Sequence, residues 1–362
     1  MFQPWPPTWL PICRRSIRRA RRRPTPSPCR PARPPARKLP VATDTDRRAL
    51  LGLTASLAAL PALARAQNAL PAVETVDLWP GGAPGGEKVT VTEQVILRTP
   101  GGDPNDTAFL NVTKPWLTMR RPAKPNGAAV LMIPGGGYVR VAVGKNGGPI
   151  DAWLASVGIT AFVMDYRLPA DGWAAGPDVA LQDAQRAIRL IRARAPSMGV
   201  DPAKVAVIGF SAGGHVAARL ATQHGRETYA PVDQADTLPT RPFAAGLFYP
   251  VITGMAPYAH GQSLKQLVGA NPTDAQRQAV SAEQHVPADA PPTFIAAAAD
   301  DKVVPVENSV LMWQALRARK IPVEMHLQEV GGHGFGLKGA DGQISPSMLA
   351  LDAFFRRHGL YA

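Results

Sequence analysis

Val205-Ala206-Val207-Ile208-Gly209-Phe210-Ser211-Ala212-Gly213 is the stretch on which the fold turns. Four apolar residues run into a Gly-x-Ser-x-Gly turn, and a helical pattern, Ala212–Gln223, follows at once. Strand, cramped turn and helix in that order make this motif a nucleophile elbow. The serine there must adopt an unusual backbone angle, and the glycines at 209 and 213 remove β-carbons that would collide. The helix N-terminus behind Ser211 also offers free N–H groups to an anion. A glycine-rich turn with a merely capping serine is the competing reading, and the context weighs against it.

Outward from the elbow, short apolar runs alternate with helical patterns. Ala128–Ile133, Thr160–Met164, Val205–Ile208, Ala244–Phe248, Thr293–Ala298 and Val323–Leu327 read as strands. Ile150–Val157, Val179–Arg194, Ala212–Gln223, Val306–Arg319 and Ser347–Arg357 read as helices. The alternation predicts an α/β fold, a mostly parallel sheet with helices on both faces, and the nucleophile elbow is what narrows it to the α/β-hydrolase type. Val91–Leu97 and Trp116–Arg120 are expected to form an antiparallel edge. Arg186, Arg189, Arg192 and Arg194 are expected on a solvated helix face rather than in a binding patch. Residues 252–291, with Pro257, Tyr258, His260 and a polar helix near Thr273–Gln284, exceed a simple crossover. They are expected to form a small partial lid or plain surface.

The remaining chemistry lies at strand ends. Pro134-Gly135-Gly136-Gly137-Tyr138 follows the Ala128–Ile133 strand, where this fold places its second oxyanion donor. Candidate donors are the N–H groups of Gly136, Gly137 and Ala212, each typically worth about 10²- to 10³-fold in rate. Tyr138 is the candidate substrate-binding side chain. A phosphate loop is the rival, but no Gly-Lys-Ser or Gly-Lys-Thr follows. Chain order in this fold runs Ser, acid, His. Asp300-Asp301 follows the Thr293–Ala298 strand, and Asp301 is preferred to Asp300 as the acid; the other would cap the next helix. His333, flanked by glycines after the last strand, is the candidate base. His215, His260, His285, His326 and His358 fit the order or the loop position less well. Ser211, His333 and Asp301 thus supply nucleophile, base and orienting acid.

Together these segments resemble a family. Pro134-Gly135-Gly136-Gly137-Tyr138, Asp165-Tyr166-Arg167-Leu168-Pro169, Asp183-Ala184, Gly209-Phe210-Ser211-Ala212-Gly213-Gly214-His215, Asp301-Lys302-Val303-Val304-Pro305 and Gly332-His333-Gly334-Phe335-Gly336 occur in one order. The set resembles the acetylxylan-esterase-like branch of the α/β hydrolases, near hormone-sensitive-lipase-type esterases, over roughly residues 75–360. The resemblance implies a serine esterase that removes short acyl groups, acetyl among them, from a carbohydrate. General short-chain esterase or oligopeptidase activity is the alternative, and a non-catalytic binding module on the same fold comes after that. Relatives carry a Glu-Gly pair where this chain has Asn146-Gly147. Glycosidic cleavage finds no support, because no carboxylate pair can be placed across one site.

Composition bounds the partners. The chain has 362 residues, 45% of them hydrophobic, and a formal charge of +13. Residues 1–66 account for about +12 of that charge. The remainder is close to neutral, which argues against a nucleic-acid partner. Both cysteines, Cys13 and Cys29, lie in the same leader. No cofactor and no metal is expected; the partner is a small-molecule or carbohydrate ester. Residues 1–40 read as a disordered Arg/Pro-rich extension, with Val41 a candidate start. Residues 41–66 carry Arg47-Arg48, a short apolar run and Ala64-Arg65-Ala66, a twin-arginine-type signal that predicts cleavage after Ala66 and export to the periplasm or medium without a membrane anchor. Residues 67–362 would be the α/β-hydrolase domain.

Overall fold

In the computed structural model, residues 73–144, 146–337 and 342–362 are described. The extension 1–40 and the signal segment 41–66 lie outside them. The strands are β1 (Val73–Asp77), β2 (Gln94–Leu97), β3 (Thr107–Leu110), β4 (Trp116–Arg120), β5 (Gly127–Ile133), β6 (Thr160–Asp165), β7 (Val200–Phe210), β8 (Ala245–Phe248), β9 (Thr293–Ala298) and β10 (Val323–Gln328). The helices are α1 (Pro149–Ser156), α2 (Val179–Arg194), α3 (Ala212–Gln223), α4 (Gly261–Val268), α5 (Asp274–Val280), α6 (Glu307–Ala318) and α7 (Pro346–Arg357).

Eight strands form one sheet in the order β1-β4-β6-β5-β7-β8-β9-β10. From β6 to β10 all pairs are parallel, and β1 and β4 add an antiparallel edge. Side chains alternate along each strand, so both faces need cover. In β7, Val205 and Val207 face α2, α3 and α6, where Ile188, Val216 and Met312 close one core. Ala206 and Ile208 face the other way, where Leu154 of α1 and Phe354 of α7 close the second. This double burial explains why the central strands are continuously apolar, and the α/β-hydrolase architecture follows.

Three details depart from the sequence reading. The antiparallel edge is built from β4 and β1, not from Val91–Leu97. Gln94–Leu97 pairs with β3 in a separate two-stranded ribbon, where Val95 and Leu97 stay exposed. The arginines of α2 are not a solvated face. Arg186 is fully buried, with its guanidinium against Asp233 and Asp236 and its Nε donating to the Leu78 carbonyl at 3.0 Å. Buried Arg192 donates to the carbonyls of Pro202, Pro239 and Arg241. The segment after α3 folds back over this face, and of the four only Arg194 is exposed. Finally, the 252–291 insertion holds two helices. Thr273 caps α5 by accepting from Gln276 N–H, and α4 precedes it.

The Asp165-Tyr166-Arg167 and Asp183-Ala184 segments join in a buried ion pair. Arg167 and Asp183 are both inaccessible and 2.8 Å apart. Asp183 also accepts from Trp79 Nε1 at 2.7 Å and from Arg167 N at 2.8 Å. Removing either partner would strand a buried charge, at about 3–5 kcal/mol.

Neighbouring Asp165 is different: it is buried, and neither carboxyl oxygen has a partner among the described residues. Burial pushes its titration well above the usual carboxylate range, with the Glu93 charge adding to the effect. Folding therefore keeps a proton that the unfolded chain releases above about pH 4. Stability is unaffected by this group below that pH and falls as the pH rises toward the folded-state value. Asp165→Asn should raise the melting temperature at pH 8, and the gain should shrink toward zero near pH 4. A pH-independent difference in thermal unfolding would contradict a neutral buried acid.

Candidate active site

Ser211 stands between β7 and α3 at φ 55° and ψ −118°, a conformation unfavourable for a residue with a side chain. Its N–H donates to Phe248 O at 3.0 Å, and its carbonyl accepts from His215 N and Val251 N, each at 3.1 Å. The chain can turn there because Gly213 has no β-carbon; one would lie 2.1 Å from the Ile133 carbonyl oxygen.

The structure brings Ser211, His333 and Asp301 together. Ser211 Oγ lies 2.9 Å from His333 Nε2, and His333 Nδ1 lies 2.8 Å from Asp301 Oδ2. A carboxylate can only accept, so Nδ1 carries the ring proton and Nε2 is free to accept from the serine hydroxyl. Asp301 Oδ1 is in turn held by Val303 N–H at 2.8 Å and Val304 N–H at 3.0 Å. The Asp301 side chain is 2% exposed and the His333 side chain 19%, so the acid is shielded while the imidazole edge faces the cavity. Asp300 does not reach His333. Its Oδ1 accepts from Gly332 N at 2.7 Å and Gly331 N at 2.9 Å, and the Gly332 N–H is the main reason its carboxyl titrates below the usual range. It ties the loop that carries His333, a role the helix-capping alternative did not foresee.

Beside the serine, the glycine loop coils on itself. Gly136 sits at φ 142°, where a β-carbon would lie 1.9 Å from Arg140 O. A β-carbon at Gly135 would meet Ser211 Cβ at 3.0 Å, so loop and elbow are in contact. None of the hydrogen bonds among the described residues uses the N–H of Gly136, Gly137 or Ala212. Ser211 and His333 open on a cavity of about 870 Å³. Met132, Val163, Phe210 and Leu337 give it an apolar side, and Arg140, His260 and Gln262 a polar one. The Asn146-Gly147 departure is accommodated by backbone contacts. Asn146 N donates to Asn105 Oδ1 at 3.0 Å, and its carbonyl accepts from Arg120, whose guanidinium pairs with buried Asp151 at 2.6 Å.

Residues 117–316, more than half the chain, match the family described as BD-FAE. The chain belongs to the BD-FAE family. It is similar to the endo-1,4-beta-xylanase B of Butyrivibrio fibrisolvens, 38% identical over 57% of this chain and 32% of that protein. It is also similar to the acetylxylan esterase of Xylanibacter ruminicola, 29% identical over 59% of this chain and 42% of that protein. The chain thus spans less than half the length of these two relatives. Among solved structures, the acetyl ester-xyloside bifunctional hydrolase of Caldicellulosiruptor lactoaceticus shares 30% identity at a TM-score of 0.62, covering 82% of this chain and 100% of that one. The BD-FAE chain described here is accordingly an acetylxylan-esterase-like α/β-hydrolase.

Tyr138 requires a correction within this family frame. It is 1% exposed and does not line the cavity. Its hydroxyl meets His215 Nδ1 at 2.7 Å, and His215 Nε2 lies 2.6 Å from Val280 O. A carbonyl only accepts, so Nε2 carries the proton and Nδ1 accepts from the tyrosine. Tyr138 is a brace inside the core, and the exposed neighbours Val139 and Arg140 face the cavity instead. The sequence reading passed over Tyr249, whose ring packs 4.9 Å from that of His333, and Gln262; it named His260 in the insertion and set it aside as a base, without a place in the cavity wall. Only the excess length of the 252–291 insertion pointed toward Gln262. Tyr138→Phe should cost about 1–3 kcal/mol by leaving a buried imidazole nitrogen unpaired. Denaturant unfolding measures that loss; a KM change with unaltered stability would return Tyr138 to the substrate.

Proposed function

We propose that this chain is a serine esterase that removes short acyl groups, acetyl foremost, from a carbohydrate. The single observation that carries the reading is the hydrogen-bonded line from Ser211 through His333 to Asp301, opening on a cavity beside the glycine loop. Ser211 Oγ attacks the ester carbonyl while His333 Nε2 takes its proton. Asp301 holds the ring and stabilises its positive charge. The carbonyl oxygen becomes an anion facing the N–H groups of Gly136, Gly137 and Ala212. As the bond to the alcohol oxygen breaks, His333 returns its proton to that oxygen. Water, deprotonated by His333, then attacks the acyl-enzyme carbonyl; as the bond to Ser211 Oγ breaks, His333 returns that proton to Oγ and the carboxylic acid leaves. The relatives named as an acetylxylan esterase and an acetyl ester-xyloside hydrolase support acetyl and carbohydrate as the two halves of the substrate. A cavity of about 870 Å³ far exceeds an acetyl group and leaves space for a large alcohol part. Export rests on the 41–66 segment and is part of the same proposal.

Ser211→Ala should lower kcat by about 10⁶-fold with the fold intact. Asp301→Asn should lower it by about 10⁴-fold. Asp300→Asn should do far less, since an amide oxygen can still accept from Gly331 and Gly332. Hydrolysis of 4-nitrophenyl acetate and of acetylated xylan, with and without a serine-directed phosphonate, checks this. Full activity after phosphonate treatment would refute the serine mechanism, and cleavage of the nitrophenyl ester alone would refute the carbohydrate part. Because His333 must be neutral to accept the proton, kcat/KM should fall along a single-proton limb on the acid side.

A further inference from the structure

A second imidazole stands in the cavity wall near His333. His260 precedes α4, and its carbonyl opens that helix by accepting from Leu264 N–H at 3.0 Å. Its Nδ1 lies 2.8 Å from the Oγ of Ser263. Ser263 is completely buried, and a buried hydroxyl must give its proton to an acceptor. Among the described residues, the acceptor bonded to it is His260 Nδ1. Ser263 therefore donates, Nδ1 accepts, and the ring proton sits on Nε2. Desolvation holds this ring neutral below its usual range; nearby His333 acts in the same sense and Asp301 against it. Nε2–H has no protein partner among the described residues, and His260 lines the cavity.

The mechanism fixes what lies opposite. His333 hands its proton to the leaving alcohol, so the alcohol sits on the His333 side of Ser211. His260 is a wall residue close enough to His333 for the two rings to interact, and Gln262, two residues on, carries the polar lining toward the glycine loop, its amide 3.6–3.8 Å from where a β-carbon of Gly137 would be. One fixed donor and one amide able both to donate and to accept suit a partner with hydroxyl groups. The apolar lining of Met132, Val163, Phe210 and Leu337 offers no such partners.

We propose that His260 and Gln262 form a hydroxyl-recognising subsite for the alcohol half of the ester, with His260 Nε2–H donating to a hydroxyl beside the esterified one. This rests on the esterase reading but not on a sugar as the alcohol. The test compares three acetate esters: glycerol monoacetate, propyl acetate, which lacks the extra hydroxyls, and an acetylated methyl xyloside. His260→Leu removes the donor, and His260→Gln restores an N–H. His260→Leu should lower kcat/KM on glycerol monoacetate and on the xyloside roughly 3- to 10-fold, the worth of one hydrogen bond. Propyl acetate turnover should stay within about twofold by the same reasoning, and His260→Gln should recover most of the loss. An equal fall on all three esters would mean that His260 acts through His333 or the fold, and overturns the subsite. So does an unchanged preference for the hydroxylated esters. Wild-type cleavage of the glycerol ester with none of the xyloside sinks the carbohydrate reading while leaving the subsite standing. No cleavage of any ester sinks the esterase reading and the subsite with it.

Discussion

Three backbone segments meet at Ser211 in a space that admits no β-carbon. A methyl group at Gly213 would overlap the carbonyl oxygens of Ile133 and Pro134 at 2.1 and 2.3 Å. One at Gly209 would lie 2.3 Å from Gly213 O and 2.7 Å from Ala217 Cβ. The end of β5, the end of β7 and the start of α3 are therefore pressed together, and the glycine loop leaves β5 already alongside the serine. The glycine loop, the end of β7 and the start of α3 can lie this close only because nothing larger than glycine stands at positions 135, 209 and 213.

Such a turn carries strain of order 1–3 kcal/mol per residue and persists only where its surroundings over-determine it. Those surroundings include two more residues at positive φ, Tyr138 at 61° and Tyr249 at 36°. His215, in the first turn of α3, ties Tyr138 of the glycine loop to Val280 of the insertion. Burial drives its titration down to about 3, with Arg219 adding to the effect, so it is a neutral tie rather than a base. From the other side, Tyr166 donates to Pro134 O at 3.0 Å. The next residue, Arg167, is locked to Asp183 in α2. The motif residues away from the chemistry thus hold the strained loop in place.

This division explains what could be read from the sequence. The central strands and helices were legible to within a few residues because a sheet buried on both faces demands continuous apolar runs. Ser211, Asp301 and His333 were legible because chain order and glycine context are local properties. β1 was not: it has only Val73 and Val76 as apolar residues and sits at an edge with Glu74, Thr75 and Asp77 exposed. The inward turn of Arg186 depends on Asp233 and Asp236, some fifty residues away. Tyr138 looked available because it follows the glycines, yet its positive φ turns the ring into the core. Its acceptor lies on α3, which no local pattern discloses.

The acidic pair after β9 shows how the remaining freedom is removed. His333 lies between Gly332 at φ 60° and Gly334 at φ 90°, and a loop of that composition loses much entropy when ordered. Asp300 opposes that loss with two charge-assisted bonds to the backbone just before the histidine. Asp301 then fixes the ring itself. Both carboxylates leave the same strand end, so the height of the imidazole above the sheet is referred to β9. That strand is parallel to β8, and β8 is parallel to β7, which ends at the serine. Tyr249 N–H, donating to Ala296 O at 2.6 Å, ties the end of β8 to β9 at the same level. The 2.9 Å between His333 Nε2 and Ser211 Oγ is therefore set by the register of three adjacent strands.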